Sequence, residues 1–136
     1  LQAAILRHKL KNYDKVIERR REVAQMYQDR LNDLSELQLP PPPSTTSNHF
    51  DVYQNYEITA DKRDDLKDYL SEKNIGTLIQ WGGKGIHQFH QLGFNQKLPK
   101  TDKFFERCIM LPMNMFISDE DVDYICENIK YFYKNE

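Results

Sequence analysis

Residues 108–134, read CIMLPMNMFISDEDVDYICENIKYFYK, set the fold. Cys108-Ile109-Met110-Leu111 is an apolar run of strand length, and Pro112 stops it because proline cannot donate to a ladder. Ser118 with Asp121 three residues on has the spacing of a capping box. Asp119, Glu120, Asp121 and Asp123 crowd the first turn, where negative charge suits the positive end of the helix dipole. Val122, Ile125, Cys126, Ile129, Phe132 and Tyr133 then recur on one stripe, the mark of a helix lying on a core. The stretch predicts a short buried strand followed by a capped amphipathic helix.

Upstream, residues 49–59 alternate. Phe50, Val52, Tyr56 and Ile58 share one side, with Gln54 interrupting, and Asp51, Tyr53, Asn55, Glu57 and Thr59 share the other. This predicts one long strand with a buried face. Asp61 is placed to cap a helix carrying Leu66, Tyr69 and Leu70 and ending near Asn74. Residues 77–81 predict another strand, and Thr101 the cap of a short helix with Phe104 and Phe105.

Residues 40–43 are prolines, which stop any helix and favour extended backbone. Ser44-Thr45-Thr46-Ser47-Asn48 continues as a polar connector. Before it, Leu6, Leu10, Tyr13, Ile17, Ala24, Tyr27 and Leu31 recur at steps of four and three, with Arg20 the exception. The pattern predicts one amphipathic helix of roughly 30 residues, about 45 Å long at 1.5 Å per residue. Such a helix outreaches a compact domain of this size and would bridge two parts of a larger body. A coiled coil competes, weakened by the arginine at a seam position. Arg19-Arg20-Arg21 reads as a solvated helix face.

The expected organisation is therefore a long linking helix over 1–39, a Pro/Ser/Thr linker over 40–48 and a small domain over 49–136. The fold class is α+β: a small antiparallel or mixed sheet of about three strands, covered by helices on one face. The strands are too few for a doubly wound nucleotide fold.

The 136 residues carry 19 basic and 21 acidic side chains, a formal charge of -2. No strong basic field exists, which argues against nucleic acid as a partner. No run of about 18 apolar residues crosses a bilayer, and no secretory signal is visible. Cys108 and Cys126 lie at apolar positions and read as small buried hydrophobes rather than a disulfide framework. A cytoplasmic location is the expectation. Leu1 opens without methionine and already inside a helical pattern, so the chain reads as a piece of a longer protein.

Chemistry gathers in residues 74–94, NIGTLIQWGGKGIHQFHQLGF. Gln80-Trp81 ends the expected strand, Gly82-Gly83-Lys84-Gly85 frees the backbone, and Ile86-His87 follows. The glycine spacing is not that of a P-loop, and no Ser or Thr follows the lysine. A general anion-binding loop is compatible with Lys84 and exposed N–H groups. His87 and His90 lack the carboxylate or cysteine that would complete a metal set. Trp81, the single tryptophan, is either a packing residue or a flat wall for a sugar or base.

A series of short motifs resembles the DegT/DnrJ/StrS-type sugar aminotransferases. LQAAILRHKL at residues 1–10 begins it, followed by Arg19-Arg20 and Tyr27 with Leu31. Tyr53 with Tyr56, Arg63 with Asp65-Leu66, and Gly76-Thr77 continue it. His87, Gly93, Pro99, Leu111-Pro112 and residues 118–122 complete it, in the family's order. The resemblance implies the C-terminal small domain of a fold-type I enzyme that uses pyridoxal 5'-phosphate. Such an enzyme moves an amino group from an amino-acid donor to a keto sugar on a nucleotide, and works as a homodimer.

The resemblance also implies that the Schiff-base lysine lies upstream of Leu1. No catalytic residue is then expected here, and the piece alone should be inactive. Gln80, Trp81 and His87 are carried over as substrate contacts, and Lys84 is added on charge as a partner for a diphosphate or sugar hydroxyl. The Gln-Trp pair stands where many members have His-Tyr or His-Phe. Two other readings remain open: a stand-alone α+β module for an anionic small molecule, and an interaction protein built on the long helix.

Overall fold

The computed structural model describes residues 1–44 and 49–135. Helices α1 (Gln2–Leu10) and α2 (Tyr13–Leu31) come first, then strands β1 (Leu37–Gln38) and β2 (Tyr56–Ala60). Helix α3 (Arg63–Glu72) leads into three short 3-10 turns, at Gln80–Gly83, Ile86–Gln88 and His90–Leu92. Helix α4 (Pro99–Arg107) runs directly into β3 (Cys108–Leu111), and α5 (Asp119–Lys134) is the last element.

The sheet is antiparallel, in the order β1-β2-β3. Tyr56 faces Leu111 and Ile58 faces Ile109 across the ladder, so these four share one side. Leu37, opposite Ala60, extends that side. Against it lie Val23, Ala24, Tyr27 and Leu31 of α2, Leu66 and Leu70 of α3, and Val122, Ile125, Cys126, Ile129 and Phe132 of α5. The α+β class with a three-stranded antiparallel sheet is the observed architecture, with α2, α3 and α5 on this face. Tyr27 stacks on Tyr56 with ring centroids 4.8 Å apart. Its hydroxyl donates to the carbonyl of Pro112 at 2.8 Å, tying α2 to the end of β3.

On the other side of the ladder Glu57 pairs with Met110 and Thr59 with Cys108. Burial pushes the Glu57 carboxyl up, opposed by a hydrogen bond with Cys108. One Glu57 oxygen and the Thr59 hydroxyl are buried without a partner among the described residues.

Several expectations need correction. The single 30-residue helix is two helices, broken where Lys11 and Asn12 bond back three residues rather than four. Asparagine is a poor interior helix residue, and here it opens α2. The region 1–39 is not all helix either: α2 ends at Leu31, and Leu37 and Gln38 form an edge strand on β2. That strand lies at the sheet edge opposite residues 77–81, whose pattern predicts a strand of their own. These keep only one bridge, in which Leu78 and Met110 exchange both backbone bonds, at 3.2 and 2.8 Å.

The long strand over 49–59 shortens to Tyr56–Ala60. Tyr53 takes φ 48°, which ends the pleat, and its amide donates to the Asp51 carboxylate at 2.7 Å. The ring therefore turns inward and is buried, while Phe50 stays exposed with Arg21 4.2 Å above its ring. The expected cap Asp61 is replaced by Lys62 in the left-handed region. Likewise α4 starts at Pro99 rather than after Thr101, because proline suits the first helical position.

The arginine run is not a solvated face. Arg19 donates to the Ile117 carbonyl and Asp119, both at 2.7 Å. Arg20 holds the carbonyls of Tyr53 and Gln54 at 2.9 and 2.6 Å. Arg21 holds those of Asp51 and Ser44 at 2.7 and 2.9 Å. Three consecutive side chains thus pin α2 to both sides of the proline linker and to the α5 entrance. The linker's residues 45–48 lie outside the described residues. Elsewhere the sequence reading matches: β3 spans Cys108–Leu111, and Ser118 and Asp121 make the reciprocal capping box.

Candidate functional site

After Ile79 the chain makes an abrupt left-handed turn. Trp81 (φ 54°), Gly82 (φ 63°) and Gly83 (φ 72°) occupy the left-handed region in succession. Two of these are glycines and carry no penalty, but a tryptophan there is strained. The indole lies outward: Trp81 is 75% exposed, so it is not a core packer. Lys84 is exposed as well, and Gln80 is half-buried.

From Gly83 onward the chain alternates. Gly85 and His87 point inward and are buried, while Lys84 and Ile86 point outward. The loop's amides are largely engaged within the turn. Gly82 donates to Ile79 at 3.3 Å, Lys84 to Trp81 at 3.4 Å, and Gly85 to the Gln88 side chain at 3.0 Å. A cradle of free N–H groups for an anion is therefore not what these glycines build.

His87 is only 5% exposed, and its Nε2 lies 2.7 Å from Asp102 Oδ1 on α4. The same oxygen accepts from Gln88 Nε2 at 2.7 Å. The structure thus brings Trp81 and Lys84 to the surface of one turn, with Gln80 beside them, and turns His87 behind it. Sequence reasoning missed Asp102 and Gln88. The available signal was Pro99 as a helix start, which puts Asp102 on the first turn facing the loop.

Two open grooves, of about 680 and 640 Å³, are lined by residues other than these. The first lies between Glu22 and Phe50, the second between Asn74 and Tyr124. Among the described residues no group of three or more His, Cys, Asp or Glu side chains is placed to hold a metal. No described helix is long and apolar enough to cross a membrane.

This arrangement sits on the small-domain fold of a sugar aminotransferase, and the chain belongs to the DegT/DnrJ/EryC1/StrS aminotransferase family, which it matches over residues 1–130. It is 32% identical to a pleiotropic regulatory protein of Geobacillus stearothermophilus, over 99% of this chain and 37% of that protein. It is 30% identical to GDP-perosamine synthase of Escherichia coli O157:H7, over 98% of this chain and 36% of that enzyme. Among solved structures, a DegT DnrJ EryC1 StrS aminotransferase from Brucella abortus superposes with TM-score 0.84 at 27% identity, covering 96% of this chain and 35% of that one. The chain spans about a third of the length of these relatives.

Proposed function

We propose that these residues are the C-terminal part of a pyridoxal-phosphate aminotransferase that aminates a keto sugar carried on a nucleotide, using an amino-acid donor. A dTDP- or UDP-linked 3- or 4-keto-6-deoxyhexose is the proposed substrate class. The relative named dTDP-3-amino-3,6-dideoxy-alpha-D-galactopyranose transaminase, of Aneurinibacillus thermoaerophilus, supports it at 28% identity over 97% of this chain.

No lysine present fits the cofactor's Schiff-base role. A Schiff-base lysine is a desolvated group, and no lysine among the described residues is buried. Lys84 stands exposed on a loop. The Schiff-base lysine is therefore assigned to residues outside these 136, with the cofactor bound mainly there, and this chain alone is expected to be inactive.

The observation that carries the reading is the strained, exposed Trp81 beside the exposed Lys84 on one turn. Such a turn forms one wall of a site and needs a second surface to close it, which suits an active site shared between domains and between the subunits of a homodimer. Trp81 offers a flat apolar face with an N–H donor, Lys84 a positive charge for a diphosphate, and Gln80 an amide for hydroxyls. His87 acts from behind the turn. The stand-alone module for a small anion loses support from the engaged loop amides.

Turnover of the full-length protein with a panel of keto-sugar nucleotides, followed by the cofactor's absorbance, tests the reading. Amination of at least one nucleotide-linked keto sugar is expected. Activity confined to free amino and keto acids would refute it.

A further inference from the structure

One carboxylate oxygen organises the back of the exposed turn. Asp102 Oδ1 lies 2.7 Å from both His87 Nε2 and Gln88 Nε2, and Gln88 Oε1 in turn accepts the Gly85 amide at 3.0 Å. A single side chain of α4 therefore holds both ends of residues 85–88. Gly85 has φ -79°, open to any residue, so its backbone does not require glycine. Space does: a Cβ there would lie 2.7 and 2.8 Å from His87 ring atoms and 3.2 Å from the Phe105 ring. Phe105 is one turn along α4 from Asp102, and its carbonyl lies 3.5 Å from where a Cβ on Gly83 would stand.

The inward residues of the loop thus fit against one face of α4, and the fit leaves Trp81 and Lys84 outside. A site held by residues of a regular helix is placed more accurately than one held by loop contacts alone. His87, with one ring nitrogen on Asp102 and 5% exposure, belongs to the holding side.

We propose that Asp102 is a positioning residue. Through His87 and Gln88 it fixes the pitch of the turn that presents Trp81 and Lys84, and the grip on the nucleotide-linked sugar depends on it. The proposal rests on the reading of this turn as a sugar-nucleotide contact.

The test uses the full-length protein that carries this chain, with variants Asp102→Ala, Asp102→Asn, Gly85→Ala and the double Asp102→Ala/Gly85→Ala. KM and kcat for the keto-sugar nucleotide are measured beside the rate of tryptic cleavage after Lys84 and the melting temperature. Asp102→Ala raises KM about tenfold with kcat within about twofold, since a displaced contact weakens binding before chemistry. Cleavage after Lys84 becomes faster. Asp102→Asn, which keeps an acceptor oxygen, recovers most of both effects. Gly85→Ala reproduces them from the other side, and the double variant is no worse than Asp102→Ala, because both break the same contact.

Unchanged KM and cleavage in Asp102→Ala overturn the proposal, as does an additive double variant. Where Asp102→Ala lowers the melting temperature sharply, the decision passes to Gly85→Ala, in which an unmoved KM overturns the proposal. Faster cleavage with an unmoved KM also overturns it, and Trp81→Ala then locates the fault. A raised KM in Trp81→Ala leaves the sugar contact standing without Asp102, whereas an unmoved KM there removes the contact itself.

Discussion

Trp81 shows how a single backbone angle separates stability from use. At φ 54° its side chain crowds its own carbonyl, a penalty of about 1 kcal/mol that glycine escapes. Trp81→Gly should raise the melting temperature by about 3 °C while raising KM for the nucleotide sugar. Calorimetry on the 136-residue chain and steady-state kinetics on the full-length protein check the two effects, and a lower melting temperature would contradict the strain. The sequence placed Trp81, Lys84 and Gln80 together because glycine and aromatic residues are informative one at a time. The burial of His87 was not legible, because its partner Asp102 is 15 residues away and a carboxylate on a first helical turn already has a local explanation.

At the scale of elements, legibility followed the range of the forces involved. The Cys108–Leu111 strand and the α5 helix were readable because their apolar period, stop and cap are all written within a few neighbouring residues. Leu37–Gln38 was not, because a two-residue strand exists only through its pairing with Ala60 and Thr59. Residues 77–81 carry β-branched side chains but have only Met110 to pair with, so propensity gave way to topology. The N-terminal period was read correctly as helical, yet α1 buries none of its nine residues. Nine residues without a packed face fall below the length at which a helix is stable in water. In the isolated 136-residue chain, the amides of α1 should therefore exchange with solvent orders of magnitude faster than those from Val23 to Leu31 in α2. Equal protection of both helices would show that α1 has found a partner.

For the molecule as a whole, the core contains groups that resist ionisation. Burial pushes the Cys126 thiol from its usual 9.0 up to about 12, and pushes the Tyr27 and Tyr56 hydroxyls up as well. These are acids whose neutral form the fold prefers. Below pH 9 both folded and unfolded states keep the proton, and the fold's advantage is complete. Above it the unfolded chain ionises first, so stability falls between about pH 9 and about 12. Urea midpoints measured from pH 7 to 11 should be level below 9 and decline above it, with Cys126→Ala reducing the early part of the decline. A level profile to pH 11 would mean that the thiol is not sealed in the core.

The proline linker joins two halves that are already bound to each other. The first half supplies Val23, Ala24, Tyr27, Leu31 and Leu37 to a core whose remainder comes from beyond residue 49. Arg20 and Arg21 reach carbonyls on the far side. The contacts between the halves should therefore hold them together without peptide-bond continuity between residues 44 and 49. Two separately synthesised peptides, divided there, should reassemble on mixing into a complex with the circular dichroism of the intact chain.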